Sequence, residues 1–322
     1  MRRHRRTTFV AVLAAALALT ACGGERQEAA TSEGGRLSIA TGNTTGVYYV
    51  LGGGLAQLIG DNLPGFSATA EVTGASVENV QRVVKGESDI AFTLADTAAD
   101  ATGGKGAFDG PQPIRALARI YSNFTHVVVR SDSGIGSIEQ MRGKTVSTGS
   151  ANSGTEVIAE RLLTAAGLDP ESEVKRQKLS LNESVQAMKD GTIQALFWSG
   201  GLPTSGITDL VTTQGGKVRF LDLSAYLPKL QAEYGDVYQP ATIAPAVYKQ
   251  SAPVPSIGVP NLLVVKDTMD EELAFKLTEL IFTRQADLVK VHPEAGNIKR
   301  DLAPRTDPVP LHPAAQRYYG TG

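Results

Sequence analysis

The chain has 322 residues, 42% of them apolar and 20% charged, with a formal net charge of −2. This is an ordinary composition for a folded globular protein, and the length is generous for one core, so two lobes are the natural division. A single cysteine, Cys22, excludes an internal disulfide framework, and the acidic balance left once the basic leader is set aside argues against nucleic acid as a partner.

Arg2, Arg3, Arg5 and Arg6 precede an apolar stretch over 9–18, then Leu19-Thr20-Ala21-Cys22-Gly23-Gly24. A basic start, a short apolar core and small residues ending at a cysteine form a signal peptide with a lipobox-like site. The expectation is removal of residues 1–21, lipidation of Cys22 and a flexible polar tether over 22–35. That loses four arginines and no acids, taking the formal charge from −2 to −6. An exported protein held to the cell membrane by its lipid alone follows. No further hydrophobic segment approaches spanning length.

The next elements alternate. A strand is predicted over 37–41, a helix over 47–59, a strand over 66–72 and a helix over 77–85, with Ser76 as its cap and Asn79 at its third position. A strand over 89–94 and a glycine-rich loop over 97–113 lead to two strands, 114–120 and 125–130. Beyond 131 come a short helix over 138–142, a strand over 145–148, a helix over 155–166, a strand over 174–179, a helix over 183–189 and a strand over 193–198. Further β and α pieces are expected over 218–223 and 225–232. Residues 240–260 hold five of the 16 prolines and read as extended. The stretches 125–130 and 261–266 are alike, apolar runs ending in a base, and are assigned as two strands crossing between lobes. A helix over 271–291 then returns to the first lobe. The lobes are accordingly 36–130 plus 262–322, and 131–261.

One stretch occurs nearly twice. Thr41-Gly42-Asn43-Thr44-Thr45-Gly46 and Thr148-Gly149-Ser150-Ala151-Asn152-Ser153-Gly154 each stand between a strand and a helix. Downstream, Glu78, Val80, Gln81, Gly86 and Phe92 align with Glu183, Val185, Gln186, Gly191 and Phe197 at one constant offset. Two facing α/β units leave a cleft, and ligands of open α/β sheets sit beyond the carboxyl ends of the strands.

Enzyme patterns are missing. His126, His292 and His312 are scattered, the last two before prolines as loop punctuation. No His/Cys spacing suits a metal, no Gly-x-Ser-x-Gly elbow occurs and no phosphate or dinucleotide loop is present, so neither metal nor cofactor is expected. Gly52, Gly53 and Gly54 lie within a helix, where small residues permit close packing. What remains are polar loops at helix starts: Asn43 to Gly46, Thr73-Gly74-Ala75-Ser76, and Asn152 to Thr155. Their free N–H groups and the local dipole favour an anion such as a carboxylate. Trp198, the only tryptophan, is either core or an apolar wall of the cleft, and one of Tyr48 and Tyr49 faces it.

Thr41-Gly42-x-x-x-Gly46-Val47-Tyr48-Tyr49, Thr73-Gly74-Ala75-Ser76-Val77-Glu78-Asn79, Ser153-Gly154-Thr155-Glu156 and Phe197-Trp198-Ser199-Gly200-Gly201-Leu202-Pro203-Thr204 together resemble the TAXI family, solute receptors of TRAP (tripartite ATP-independent periplasmic) transporters. Val259 to Val265 and Pro310 to Pro313 fit as well. The resemblance implies a two-lobed periplasmic-binding-protein fold, class II-like. It implies capture of a small carboxylate or amino acid, glutamate, glutamine or 2-oxoglutarate, by a monomer that delivers it to a TRAP permease with subunits often fused. Family-type contacts fall on Thr45, Tyr48, Ser76, Asn79, Asn152, Ser153, Gly154, Thr155, Trp198 and Pro203; Thr73 and Gly201 join them from the same loops. Leu94-Ala95-Asp96 departs from the family's Gln-Ser-Asp-like turn, which leaves Asp96 open, as Arg119 is. The lipobox departs from freely soluble receptors and points to a cell without an enclosed periplasm. A ligand sensor read by a membrane histidine kinase is the alternative, and an enzyme on this fold a third reading.

Overall fold

Strand β1 (Gly35–Ala40) opens a computed structural model that describes residues 34–321; Cys22 and the expected leader lie outside these residues. Then follow α1 (Val47–Asn62), β2 (Phe66–Glu71), α2 (Ser76–Lys85), β3 (Ile90–Leu94), α3 (Ala95–Gly103), β4 (Ile114–Arg130), β5 (Thr145–Ser147), α4 (Gly154–Ala165), β6 (Lys175–Gln177), α5 (Leu181–Asp190), β7 (Ala195–Gly200), α6 (Ser205–Gln214), β8 (Val218–Phe220), α7 (Leu227–Tyr234), β9 (Gln239–Ile243), α8 (Pro245–Tyr248), β10 (Val254–Lys266), α9 (Glu271–Thr283), α10 (Gln285–Val291) and α11 (Pro313–Tyr319).

The strands form one mixed sheet in the order β2-β1-β3-β10-β4-β7-β5-β6, with β8 beside β4 and β9 beside β10. Its two ends have the same topology. β1 pairs in parallel with β2 and β3, and β5 pairs in parallel with β6 and β7. Each triplet then meets a long antiparallel strand, β10 beside β3 and β4 beside β7. The near-repeat of the sequence maps onto this likeness. Gly86 and Gly191 both cap helices with left-handed backbone, at φ 73° and 74°, a conformation glycine adopts without Cβ strain. Gly46 and Ser153 start α1 and α4 with nearly the same dihedrals, φ −92° and −94° with ψ 157° at both.

Each end is a three-layer sandwich. In the first lobe α1, α9 and α10 cover one sheet face around Leu51, Leu55, Ile59, Leu277 and Ile281, while α2 and α3 cover the other around Val80, Val83 and Ala98. Gly52 sits so close to Thr41 that any side chain would collide with it, which draws α1 onto the sheet. In the second lobe α4 packs Ile158 and Leu162 on one face, and α5 and α6 pack Val185, Met188, Ile207 and Leu210 on the other.

Several local expectations change. The loop over 97–113 is helical up to Gly103: alanines at 95, 98, 99 and 101 suit a helix, and Ala98 and Ala101 are buried. The strands over 114–120 and 125–130 are one strand, β4, because Ser122 and Asn123 stay paired to β10 through the crossing. The helix over 271–291 breaks at Arg284 into α9 and α10. Ser76 does not cap α2; it lies inside the helix after Ala75, whose φ is 98°. The extended 240–260 stretch contains the turn of helix α8. His292 and His312 are caps rather than plain punctuation, accepting from Glu294 N and Ala314 N.

β4 and β10 pair from Ile114 with Lys266 to Phe124 with Gly258 and then part, β4 towards β7 and β10 towards β9. The crossing therefore lies at 122–124 and 258–260, and 261–266 pairs within the first lobe. The register slips between Pro260 and Leu262, where Ile120 and Tyr121 of β4 stand opposite the single Asn261, a bulge on β4.

Candidate functional site

The loops after β1 and β5 and the ends of β3 and β7 meet between the lobes, where the starts of α1, α2 and α4 converge. Gly42, Asn43, Gly46, Tyr48, Ala75, Ser76, Leu94, Tyr121 and Asn123 line a small cavity from one side, and Ser150, Ser153, Gly154, Thr155, Trp198, Ser199, Gly200 and Gly201 from the other. It encloses about 30 Å³, the space of roughly one water molecule. No lining residue is an Asp, Glu, His, Lys or Arg.

Glycines let the walls approach. A Cβ at Gly154 would lie 2.5 Å from Leu94 Cδ1 and 2.7 Å from Ser76 Oγ, both across the cleft. One at Gly74 would lie 2.6 Å from the Ala151 carbonyl oxygen. At the floor, Asn261 ties the crossing strands together. Its Nδ2 donates to the Tyr121 carbonyl (3.1 Å) and to Asn123 Oδ1 (2.9 Å), and its Oδ1 accepts from the Tyr48 hydroxyl at 2.5 Å. Asn123 Nδ2 continues the chain to the Ser199 carbonyl at 3.2 Å. Burial pushes both the Tyr48 and Tyr121 phenols well above the usual range, so they remain protonated donors.

Of the residues expected as ligand contacts, Tyr48, Ser76, Ser153, Gly154, Thr155, Trp198 and Gly201 line the cavity. Ser153 caps α4 by accepting from Glu156 N at 3.0 Å, and Thr155 Oγ1 accepts from Ser199 N at 3.1 Å. The Trp198 indole N–H donates to Thr204 Oγ1 (3.1 Å), which fixes the ring as a wall facing Gly46. The other five stand elsewhere. Thr45 Oγ1 donates to Asn182 Oδ1 across the rim at 2.5 Å. Thr73 donates to Asn79 Oδ1, and the fully buried Asn79 amide braces the Thr41 and Phe92 carbonyls. Asn152 is drawn outward, its carbonyl accepting from Glu78 N and its N–H donating to Glu156 Oε2. Pro203 follows a cis bond and faces His292. Neither Asp96 nor Arg119 lines the cavity.

Sequence reasoning missed Tyr121, Asn123 and Ser199. Tyr121 and Asn123 lie inside a long strand with no motif, and only the crossing aims them at the cavity. Asn43 stood within a noted loop and does more than that loop suggests: its Oδ1 accepts from Leu181 N at 2.8 Å, joining the lobes.

A second link spans the lobes on the other flank. Arg161 of α4 reaches Asp100 and Asp96 of α3, at 2.5 and 3.5 Å, and Tyr238 donates to Asp96 Oδ2 at 2.6 Å. An open, charged groove of about 1370 Å³ runs beside it. Among the described residues, no group of three His, Cys, Asp or Glu side chains is placed to hold a metal, and no helix is long and apolar enough to cross a membrane.

The model of the NMT1-like family matches residues 39–320, from within β1 past the end of α11, the frame that carries this cleft. The chain belongs to the NMT1-like family. Among solved structures it is similar to a binding-protein component of an ABC phosphonate transporter from Pseudomonas aeruginosa, with 15% identity and a TM-score of 0.56 over 82% of this chain and 80% of that one. It is also similar to the periplasmic aliphatic sulphonate-binding protein SsuA from Escherichia coli, with 14% identity and a TM-score of 0.48 over 89% of this chain and 83% of that one. The two-lobed periplasmic-binding-protein fold of this NMT1-like chain matches that of the phosphonate-transporter component, likeness at the level of fold.

Proposed function

We propose that this protein is an extracytoplasmic, non-enzymatic solute receptor that captures a small carboxylate between its lobes. The observation that carries the reading is the cavity itself. Three helix starts converge on it, and its lining offers hydroxyl and amide groups but no Asp, Glu, His, Lys or Arg side chain. First-turn N–H groups have no acceptor within their own helix, and aligned peptide dipoles make that end partly positive, so an anion is held without a counter-charge. The enclosed volume is too small for glutamate or 2-oxoglutarate, so entry requires the lobes to part and rejoin, a motion the paired crossing strands can serve as hinge.

The finer reading rests on the TAXI-like motifs. They support delivery of the ligand, glutamate, glutamine or 2-oxoglutarate, to a TRAP permease, and the lipobox around Cys22 supports a lipid-anchored location. Titration calorimetry of the purified protein with those three compounds tests the capture; heat from none of them removes the reading. Uptake by proteoliposomes carrying a TRAP permease encoded beside this protein tests the delivery, and uptake that does not depend on adding the receptor removes that part.

A further inference from the structure

The cavity has an unbalanced hydrogen-bond inventory. Several of its side-chain and backbone acceptors are already engaged from within. Asn43 Oδ1 accepts from Leu181 N, Asn123 Oδ1 from Asn261 Nδ2, Ser153 Oγ from Glu156 N and Thr155 Oγ1 from Ser199 N. The Ser199 carbonyl accepts from Asn123 Nδ2. Its donors are left over. Ser153 and Thr155 are engaged as acceptors, so their own O–H groups are free to give. Tyr121 Oη and Ser199 Oγ are buried with no partner among the described residues, and both residues line the cavity, Tyr121 from β4 and Ser199 from β7. A buried hydroxyl without a partner has lost its bond to water with nothing in return, so a ligand that completes it recovers that cost. The first-turn N–H groups of α4 add further donors of the same sign.

Resting on the receptor reading above, we infer that the site takes an organic anion whose polar groups are all hydrogen-bond acceptors, an oxo acid or plain dicarboxylate, and disfavours the matching amino acid, with the Tyr121 and Ser199 hydroxyls donating to the anion and no carboxylate in the lining to balance an ammonium. An ammonium group brings a positive charge into a cavity that has no carboxylate to balance it and whose helix ends are already partly positive. A keto oxygen or second carboxylate meets donors instead. Discrimination of this kind is large because mismatched polar groups stay unpaired after desolvation.

The test is calorimetry at pH 7 with 2-oxoglutarate, glutarate and glutamate on the wild type, Tyr121→Phe and Ser199→Ala, with melting temperatures of the unliganded proteins alongside. The expectation is binding of 2-oxoglutarate or glutarate at least tenfold tighter than glutamate. Each substitution should weaken the tighter ligand by about tenfold, the loss of one hydrogen bond to a charged group. The unliganded melting temperatures should hold or rise, because an unsatisfied hydroxyl has been removed; a merely structural role would lower them. Glutamate binding as tightly as its oxo counterpart overturns the inference while leaving the receptor reading intact, and so do substitutions that change affinity less than twofold. Absence of heat from all three compounds fells both.

Discussion

The guanidinium of Arg161, on α4 of the second lobe, lies 2.5 Å from the carboxylate of Asp100 on α3 of the first, and the same group faces the fully buried carboxylate of Asp96. Tyr238 closes this cluster. Replacing Arg161 with alanine strands buried negative charge, a change that costs about 3–5 kcal/mol when a buried pair loses one member. The expected outcome is a clear fall in unfolding midpoint in urea together with a larger radius of gyration in small-angle scattering. An unchanged radius with lowered stability would mean that the cluster supports the fold without governing lobe separation.

Gly154→Ala probes the approach of the lobes directly. The added methyl would sit 2.5 Å from Leu94 Cδ1 and 2.7 Å from Ser76 Oγ, on the opposite wall. Overpacking of this kind costs about 1–3 kcal/mol, more than the gain in helix propensity of up to about 1 kcal/mol. Weakened ligand binding with a nearly unchanged circular dichroism spectrum is expected, and affinity equal to wild type would count against lobe contact as the bound geometry.

Ser153→Ala and Thr155→Val remove hydroxyls that line the cavity, whereas Arg119 lies on β4 away from it, its N–H bonded to the Ala303 carbonyl. The first two should each weaken calorimetric binding of 2-oxoglutarate by about tenfold, with Ser153→Ala also costing about 1 kcal/mol as a lost cap. Arg119→Ala should change affinity by less than threefold; the reverse order would displace the site.

Stability should depend on pH through His126. Burial holds its imidazole down at about 4 from an ordinary 6.5, and its nitrogens stand 3.3 Å from the Trp198 carbonyl and 3.1 Å from the Tyr248 hydroxyl. The unfolded chain therefore binds the extra proton first. The stabilisation is complete above about pH 6.5 and is lost as pH falls towards 4, amounting to about 3 kcal/mol. Urea midpoints measured across that window should fall with acidity, and the part of the slope due to this group should vanish in His126→Gln.

The alternation of strands and helices was legible in the chain because glycine caps and polar loops punctuate it, as at Gly86, Gly191 and Ser153. So were the loops that converge on the cleft. What escaped was long-range. Nothing local says that β4 runs unbroken through Ser122 and Asn123, since only pairing with β10 holds those polar residues in a strand. Tyr121 and Ser199 therefore could not be placed, and Thr45, Asn79 and Asn152 could not be seen to spend their hydrogen bonds on neighbours.

The connection between the lobes is a pair of strands bonded to each other, with a β4 bulge opposite Asn261, rather than two slack loops. Such a ribbon deforms by twisting along its length more readily than by folding at a point. Separation of the lobes should then be a screw-like swing that strains the ribbon elastically, and the recoil would return the walls to one another without any contribution from the ligand.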